Sequence, residues 1–177
     1  MRNINNIKKI IVFDLDGSLI DSGTPDRFKP IYKEKTGNEW PHKGWWGQRL
    51  SLDLNIFPIK PIDFTVNHYH RVKDEENVLT ILMTGRIKPL EKEVRAILDT
   101  FNFKFDHVLL NPTHDTLKFK LNELDGMIKI YENLECIEFI DDRLSHMDSF
   151  IEWGKNQEEQ KENFKFIYHL VPSDEII

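Results

Sequence analysis

The chain has little cysteine and no long apolar segment among its first residues, and these two features exclude several classes of protein. Cys136 is the only cysteine among the 177 residues, so no disulfide can form within the chain and we expect a reducing, cytoplasmic environment. It precedes a largely apolar run, which favours a buried core position over a nucleophile. The first apolar stretch, Ile10 to Phe13, is too short for a signal peptide or a membrane span, so we expect no membrane association.

The chain also lacks an excess of positive charge. Its 24 Lys and Arg against 30 Asp and Glu give a net charge of −6, which argues against a protein that coats DNA irrespective of sequence. Segment 26–50 is the exception, because its basic residues outnumber its acidic ones. With 40% hydrophobic residues and 12 Phe, the chain has ample material for the packed core of one ordinary domain.

Five apolar runs end in polar or turn-forming residues and predict buried strands. They are residues 10–13, 78–83, 105–110, 137–140 and 166–171. Between them, residues 90–101 and 117–131 carry apolar side chains at helical spacing. Strands that alternate with helices form parallel βαβ units, which predicts an α/β three-layer sandwich with a mostly parallel central sheet.

Segment 23–77 does not follow this alternation, because it is rich in proline and tryptophan. We predict a small cap-like insertion after the first strand, within a single domain of residues 1–177. The interval between Thr84 and Lys120 is nearly filled by one helix and one strand, so no large cap fits there. Residues 152–162 are expected to form an exposed charged helix or tail.

Two carboxylates, Asp14 and Asp16, follow the first predicted strand, and Gly17 and Ser18 come directly after them. In an extended chain the two carboxylates point the same way, and Gly17 lets backbone amides approach an anion. Paired carboxylates repel each other unless a cation or a proton lies between them, and Mg²⁺ is the simplest cation for oxygen ligands. Because parallel strands bring their carboxyl ends to one edge, polar residues that end the later strands are expected at the same rim.

The segment from Asp14 to Ser18 resembles the first motif of the haloacid dehalogenase (HAD) superfamily, Asp-x-Asp-Gly-Thr/Ser after a hydrophobic strand. The resemblance implies a HAD-like Rossmannoid fold in which Asp14 is the nucleophile that takes a phosphoryl group. It implies that Asp16 protonates the leaving oxygen and then activates water.

The second HAD motif is similar to Thr84-Gly85-Arg86, which ends the second predicted strand. The resemblance implies that Thr84 hydrogen-bonds a phosphoryl oxygen and that Gly85 lets the backbone approach. It implies that Arg86 neutralises phosphate charge.

The third motif is a lysine on the helix before the fourth strand, and both Lys118 and Lys120 flank the apolar stripe there. Helical periodicity leaves the choice between them open. The fourth motif resembles Asp141-Asp142-Arg143, which implies that Asp142 binds the metal and Asp141 pairs with the lysine. The implied ligands of Mg²⁺ are Asp14, Asp16, Asp141 and Asp142.

A closer resemblance is to the HAD domain of Swiss Army knife RNA repair-like proteins. The matching motifs are Gly44-Trp45-Trp46, Thr84-Gly85-Arg86, Phe119-Lys120 and the six residues from Asp141 to His146. This match favours Lys120 as the site lysine, and the Asp-Asp-Arg segment is also similar to the phosphatase half of polynucleotide kinase/phosphatase enzymes. The resemblance implies a Mg²⁺-dependent phosphomonoesterase that removes terminal phosphate from RNA or DNA ends in RNA end repair.

The tryptophans of the insertion have two interpretations. They could stack a base beside nearby basic residues, or they could form the insertion's own core. The predicted substrate-binding residues are Gly17, Ser18, Gly85, Arg86, Trp45, Trp46 and Arg143, the two tryptophans under the first interpretation. A small-molecule or nucleotide phosphatase, with the insertion as its lid, is the alternative function, and a phosphate-binding or RNA-end-binding module without catalysis is a third. His68 and His70 would lie on different faces of a helix, so no histidine-ligated metal is predicted.

Overall fold

A five-stranded parallel sheet forms the centre of the protein in the computed structural model, which describes residues 3–172. The strands are β1 (Lys9–Phe13), β2 (Ile20–Asp21), β3 (Lys60–Pro61), β4 (Val78–Ile87), β5 (His107–Asn111), β6 (Cys136–Asp141) and β7 (Lys165–Leu170). The central sheet has the order β5-β4-β1-β6-β7 and all its neighbouring pairs are parallel. Strands β2 and β3 pair separately and antiparallel.

Within residues 3–172, five α-helices cover the two faces of this sheet. They are α1 (Pro25–Thr36), α2 (Asp63–Val72), α3 (Glu91–Thr100), α4 (Thr116–Ile130) and α5 (Leu144–Gln160). Successive side chains of β1 point to opposite faces, so Ile11 packs with α1, α2 and α3 while Ile10 packs with α4 and α5. A strand buried on both faces explains the continuous apolar run of β1. The predicted α/β three-layer architecture is confirmed.

The segment between β1 and β4 has an aromatic core of its own. Phe28 of α1 stacks on Phe57 with ring centroids 5.1 Å apart. Trp45 packs against the same phenylalanine at 5.3 Å and against Trp40 at 4.6 Å. This cluster is continuous with the apolar layer on the α1–α3 face of the sheet, so the segment packs directly on that layer.

Several element ends differ from the sequence-based prediction. Strand β4 continues through Thr84 to Ile87, and its pairing with β5 shifts register after Thr84. The register shift marks the place where the backbone leaves regular pairing to enter the site. Helix α5 begins at Leu144, well before the predicted start, and packs Phe150 in the core. Among the described residues, no helix is both long and apolar enough to cross a membrane.

Candidate active site

The order of the strands brings three polar chain segments together. Phe13, the last residue of β1, pairs with Leu82 of β4 on one side and with Ile140 of β6 on the other. The residues that follow these three positions therefore emerge side by side at the carboxyl edge of the sheet. Asp14 and Asp141 each follow such a position directly.

Lys120 joins the two carboxylates at this edge. Its Nζ donates to Asp14 Oδ1 at 2.7 Å and to Asp141 Oδ2 at 2.6 Å, and the lysine is 2% exposed. Burial by itself would lower the pKa of Lys120, but the two carboxylates outweigh burial and raise it. Lys118 is exposed on the outer side of α4, so the structure brings Lys120 and not Lys118 to the site.

Three carboxylates at this edge form a compact acidic cluster. Asp14, Asp141 and Asp142 each offer an oxygen atom, and these atoms lie within 4.8 Å of one another. Burial raises the pKa of Asp14 to about 8; Lys120 opposes this, and the neighbouring carboxylates add to it. Burial and then Asp141 likewise raise the pKa of Asp142 to about 6.

The raised pKa values mean that Lys120 alone does not supply enough positive charge to stabilise all the carboxylates of the cluster in their ionised form. Lys120 supplies one positive charge to three buried or half-buried carboxylates. A divalent cation would supply the remainder, and hard oxygen donors are the ligands that Mg²⁺ prefers. The three aspartates therefore fit Mg²⁺.

Asp16 lies outside that cluster and has other partners. Its Oδ2 accepts a hydrogen bond from Arg86 Nε at 2.9 Å, and its Oδ1 accepts from Arg86 Nη2 at 2.8 Å. The hydroxyl of Ser22 donates to Oδ1 at 2.6 Å. Burial would raise the pKa of Asp16, but Arg86 and Ser22 outweigh burial and lower it. With both oxygens engaged in this way, the side chain of Asp16 does not join the three aspartates that could hold a metal.

Arg86 is turned towards Asp16 and the insertion. It is 1% exposed, and its Nη1 donates to the backbone oxygen of Trp46 and to Ser51 Oγ, both at 2.7 Å. With the two bonds to Asp16, four of the five guanidinium N–H groups are used within the protein. This arrangement differs from the predicted contact with phosphate, because one N–H at most is left for a phosphoryl oxygen.

A cavity of about 330 Å³ opens in front of Asp14. Asp16, Gly85 and Arg143 line it, as the motifs implied. Sequence reasoning missed other residues of its wall, for which no motif spacing gave a signal. They are Gly47, Ile87, Asn111, Thr113, His114 and Thr116.

Two small motif residues, Gly17 and Thr84, support the backbone beside the acidic cluster. Gly17 has φ +74°, and a Cβ there would lie 2.1 Å from Asp142 Oδ2, so only glycine fits. The Thr84 side chain is buried, and its Oγ1 accepts a hydrogen bond from the backbone N–H of Arg86 at 3.0 Å. Its hydroxyl proton takes no part in that bond, but the side chain is fully buried and does not line the cavity in front of Asp14.

Ser18 likewise does not line the cavity in front of Asp14. It is fully buried, and its Oγ has no hydrogen-bond partner among the described residues. The predicted contact of Ser18 with substrate would need a conformation other than this one, because a fully buried hydroxyl cannot reach a bound phosphate.

The two adjacent tryptophans have different environments. Trp45 is 4% exposed and belongs to the aromatic core of the insertion, so its ring is not open to a substrate. For Trp45 the structure supports the interpretation of these tryptophans as core. Trp46 is 43% exposed and lines the cavity in front of Asp14.

His68 and His70 point to different surroundings, as predicted from their spacing. His70 is exposed, whereas His68 Nε2 lies 3.1 Å from Glu138 Oε2. His169 Nε2 is 3.5 Å from the same oxygen, and Lys9 pairs with the other oxygen of Glu138. The contacts with His169, His68 and Lys9 lower the pKa of Glu138 despite its burial. The cluster ties α2 to the sheet, away from the cavity in front of Asp14.

The sequence matches a known family over most of its length. Residues 33–176 match the family described as HAD domain family 1 in Swiss Army Knife RNA repair proteins, and the chain belongs to that family. The motif-based resemblance is thereby confirmed. No protein of curated function matches the sequence significantly.

Two solved structures share the fold. One is described as the structure of the Pnkp1/Rnl/Hen1 RNA repair complex; it superposes with a TM-score of 0.54 at 14% identity, over 96% of this chain and 45% of that chain. The other, described as the structure of a Pnkp1/Rnl/Hen1 complex, gives 0.52 at 15% identity, over 93% and 47%. The chain therefore spans less than half the length of those two chains, and the likeness is one of fold.

Proposed function

We propose that this protein is a Mg²⁺-dependent phosphomonoesterase that acts through Asp14. The observation that carries the proposal is the placement of Lys120, which is buried between Asp14 and Asp141 and donates to both. Such a lysine opposes the effect of burial on Asp14, favours its ionised form and fixes its direction, as attack on phosphorus requires. Asp142 completes the oxygen cluster beside it.

The metal would be held by Asp14, Asp141 and Asp142, and when bound it would offset the negative charge of the substrate phosphate and of the carboxylates. Asp16 would be a further ligand, as the motif implies, only if its side chain left Arg86. We therefore assign the side chain of Asp16 to proton transfer.

In the first chemical step, an Asp14 oxygen forms a bond to phosphorus as the bond from phosphorus to the leaving oxygen breaks. Lys120 engages Asp14 Oδ1, so Oδ2 is the oxygen that attacks. Asp16 donates a proton to the leaving oxygen, and a bound phosphate dianion in the adjacent cavity favours that protonated form.

In the second step a water molecule attacks the phosphorus of the aspartyl phosphate. Asp16 accepts the proton from this water, and inorganic phosphate leaves as Asp14 is regenerated. The backbone at Gly85, which lines the cavity, would bind the phosphoryl oxygens during both steps. The hydroxyl of Thr84 is fully buried and would join it, as the motif implies, only in a conformation other than this one. Arg143, which is exposed at the cavity wall, would add positive charge.

We propose a nucleic-acid end as the substrate, with RNA repair as the setting. The family to which the chain belongs is named for RNA repair proteins, and the fold is shared with a chain of a complex described as an RNA repair complex. We further propose that residues 1–177 act as one domain, with segment 23–77 as a small cap. A cap of that size leaves the rim accessible to the end of a polymer.

A phosphate-release assay tests this proposal. The purified protein with Mg²⁺ is offered 3′-phosphate and 5′-phosphate oligonucleotides, the matching mononucleotides and an aryl phosphate, with Asp14→Asn as the control. We expect release from oligonucleotide ends that Asp14→Asn abolishes while its melting temperature stays near that of the wild type. Undiminished release by Asp14→Asn would refute the mechanism.

The same panel separates the candidate substrates. Equal or better kcat/KM on the mononucleotides would favour a nucleotide phosphatase over an end-processing enzyme. Metal-dependent binding of the ends, with no phosphate released on prolonged incubation, would instead support a binding module.

A further inference from the structure

A second and larger cavity adjoins the catalytic one. It has a volume of about 650 Å³ and lies between the Asp14 loop and the insertion. Trp46 and Asp142 line both cavities, so a molecule whose phosphate faces Asp14 extends into the larger cavity across Trp46. A volume of this size is typical of sites that enclose a small molecule or a single nucleotide unit.

Trp46 is held in place although its ring is exposed. Its backbone oxygen accepts the 2.7 Å hydrogen bond from Arg86, and the guanidinium carbon of Arg86 lies 5.1 Å from the centre of the indole ring. A cation against an aromatic ring is attractive and fixes the orientation of the ring. Trp46 therefore offers a fixed aromatic surface beside Asp14, although its ring is 43% exposed.

The charges of the larger cavity indicate which part of a substrate it takes. Its wall carries side chains of both charges, and the acidic residues outnumber the basic ones. The charged residues are Asp21, Arg27, Lys60, Asp63 and Asp142. Arg27 is further engaged by Asp21 in a two-bond ion pair at 3.0 and 2.9 Å. Such a wall disfavours a second phosphate group, and an uncharged nucleoside is compatible with it.

We infer that Trp46 stacks on the nucleobase next to the scissile phosphate and that the larger cavity holds that terminal nucleoside. This inference rests on the proposed function and deepens it, because it assigns the residue that distinguishes a nucleotide end from any other phosphate ester. Stacking of a base on an aromatic side chain tolerates all four bases, which suits an enzyme that processes ends irrespective of sequence.

The test compares two substrates on three forms of the whole protein. The substrates are a dinucleotide with a terminal phosphate and the same molecule with an abasic terminal sugar. The forms are the wild type, Trp46→Ala and Trp46→Phe. Phe64→Ala is the matched control, because Phe64 is 54% exposed and lines neither cavity.

We expect Trp46→Ala to lower kcat/KM on the intact dinucleotide by about 5- to 150-fold, the range for loss of one stacked base. On the abasic substrate the same substitution should cost less than about 3-fold, because there is no base left to stack. Trp46→Phe should keep most of the activity on the intact dinucleotide. Phe64→Ala should leave kcat/KM unchanged on both substrates.

Two outcomes would overturn the inference, and they differ from failure of the proposed function. An equal loss on both substrates would mean that Trp46 acts only by holding Arg86. Wild-type protein that hydrolyses both substrates equally well would mean that no base is bound. In both cases the phosphatase mechanism stands; absence of Asp14-dependent release from every phosphate ester would instead refute the function itself.

Discussion

Replacing Arg86 by lysine tests whether this residue acts through Asp16 or directly on the phosphate. Arg86 makes two charge-assisted hydrogen bonds to Asp16, at 2.9 and 2.8 Å, and it also donates to Trp46 and Ser51. A lysine keeps the positive charge, but its single ammonium group cannot reproduce the planar fork, so Asp16 loses at least one bond and its fixed direction.

The magnitude follows from the role of Asp16. General acid–base catalysis contributes about 10²- to 10⁴-fold to a rate, so a misdirected Asp16 should lower kcat on a nucleoside phosphate by about 10²-fold. An aryl phosphate has a good leaving group that departs without a proton, so release of the aryl alcohol in the first turnover should slow by less than about 10-fold; the hydrolysis step, which also uses Asp16, is common to both substrates. Loss of one charge-assisted bond should also lower the free energy of unfolding by about 1.5–3 kcal/mol.

The assay measures kcat and KM of Arg86→Lys on both substrates, the rate of aryl-alcohol release in the first turnover, and thermal unfolding. Arg143→Lys is the comparison, because Arg143 is exposed at the cavity wall. This substitution should change KM for the two substrates alike. An Arg86→Lys variant that raises KM equally on both substrates with kcat unchanged would refute the reasoning. Arg86 would then bind phosphate, as the sequence motif implied.

Two further predictions concern the supports of the site. Gly17→Ala should destabilise the protein by about 1–2 kcal/mol, since the residue has φ +74°. It should also weaken activation by Mg²⁺ in a magnesium titration, because the new Cβ displaces Asp142. Gly126→Ala is the control, because a Cβ there meets no atom within 4 Å. Glu138→Gln should cost about 1–3 kcal/mol of unfolding free energy at neutral pH. Folding lowers the pKa of Glu138 from its ordinary 4.5, so this stabilisation is present above about pH 4.5 and is lost as the pH falls towards the folded pKa. Chemical denaturation of the wild type and of Glu138→Gln between pH 3 and 7 should therefore show free energies of unfolding that converge in acid. A difference in unfolding free energy that stays constant with pH would contradict the assignment.

The order and type of the elements could be predicted from the sequence. Apolar runs such as that of β1 are continuous because a central parallel strand is buried on both faces, so the pattern along the chain already contains the architecture. The carboxyl ends of such strands meet at one edge, and for that reason the placement of Asp14 and Asp141 was predictable as well. The motif resemblance favoured Lys120, and the structure agrees with it.

The partners of the charged side chains could not be predicted. A helical wheel places Lys118 and Lys120 on either side of one stripe, and only the packing of α4 buries one and leaves the other exposed. Trp45 and Trp46 are neighbours in sequence, yet one fills a core and the other lines the rim, because the insertion has no regular period from which a side could be read.

Arg86 shows the same division between sequence and tertiary structure. Its position after a buried strand placed it at the rim, but its hydrogen bonds go to residues 70, 40 and 35 positions away along the chain. Local patterns decide which backbone segments form strands and helices, since those depend on near neighbours. Which donor meets which acceptor depends on contacts between distant segments, and for Asp16, Arg86 and Trp46 only the folded chain decides it.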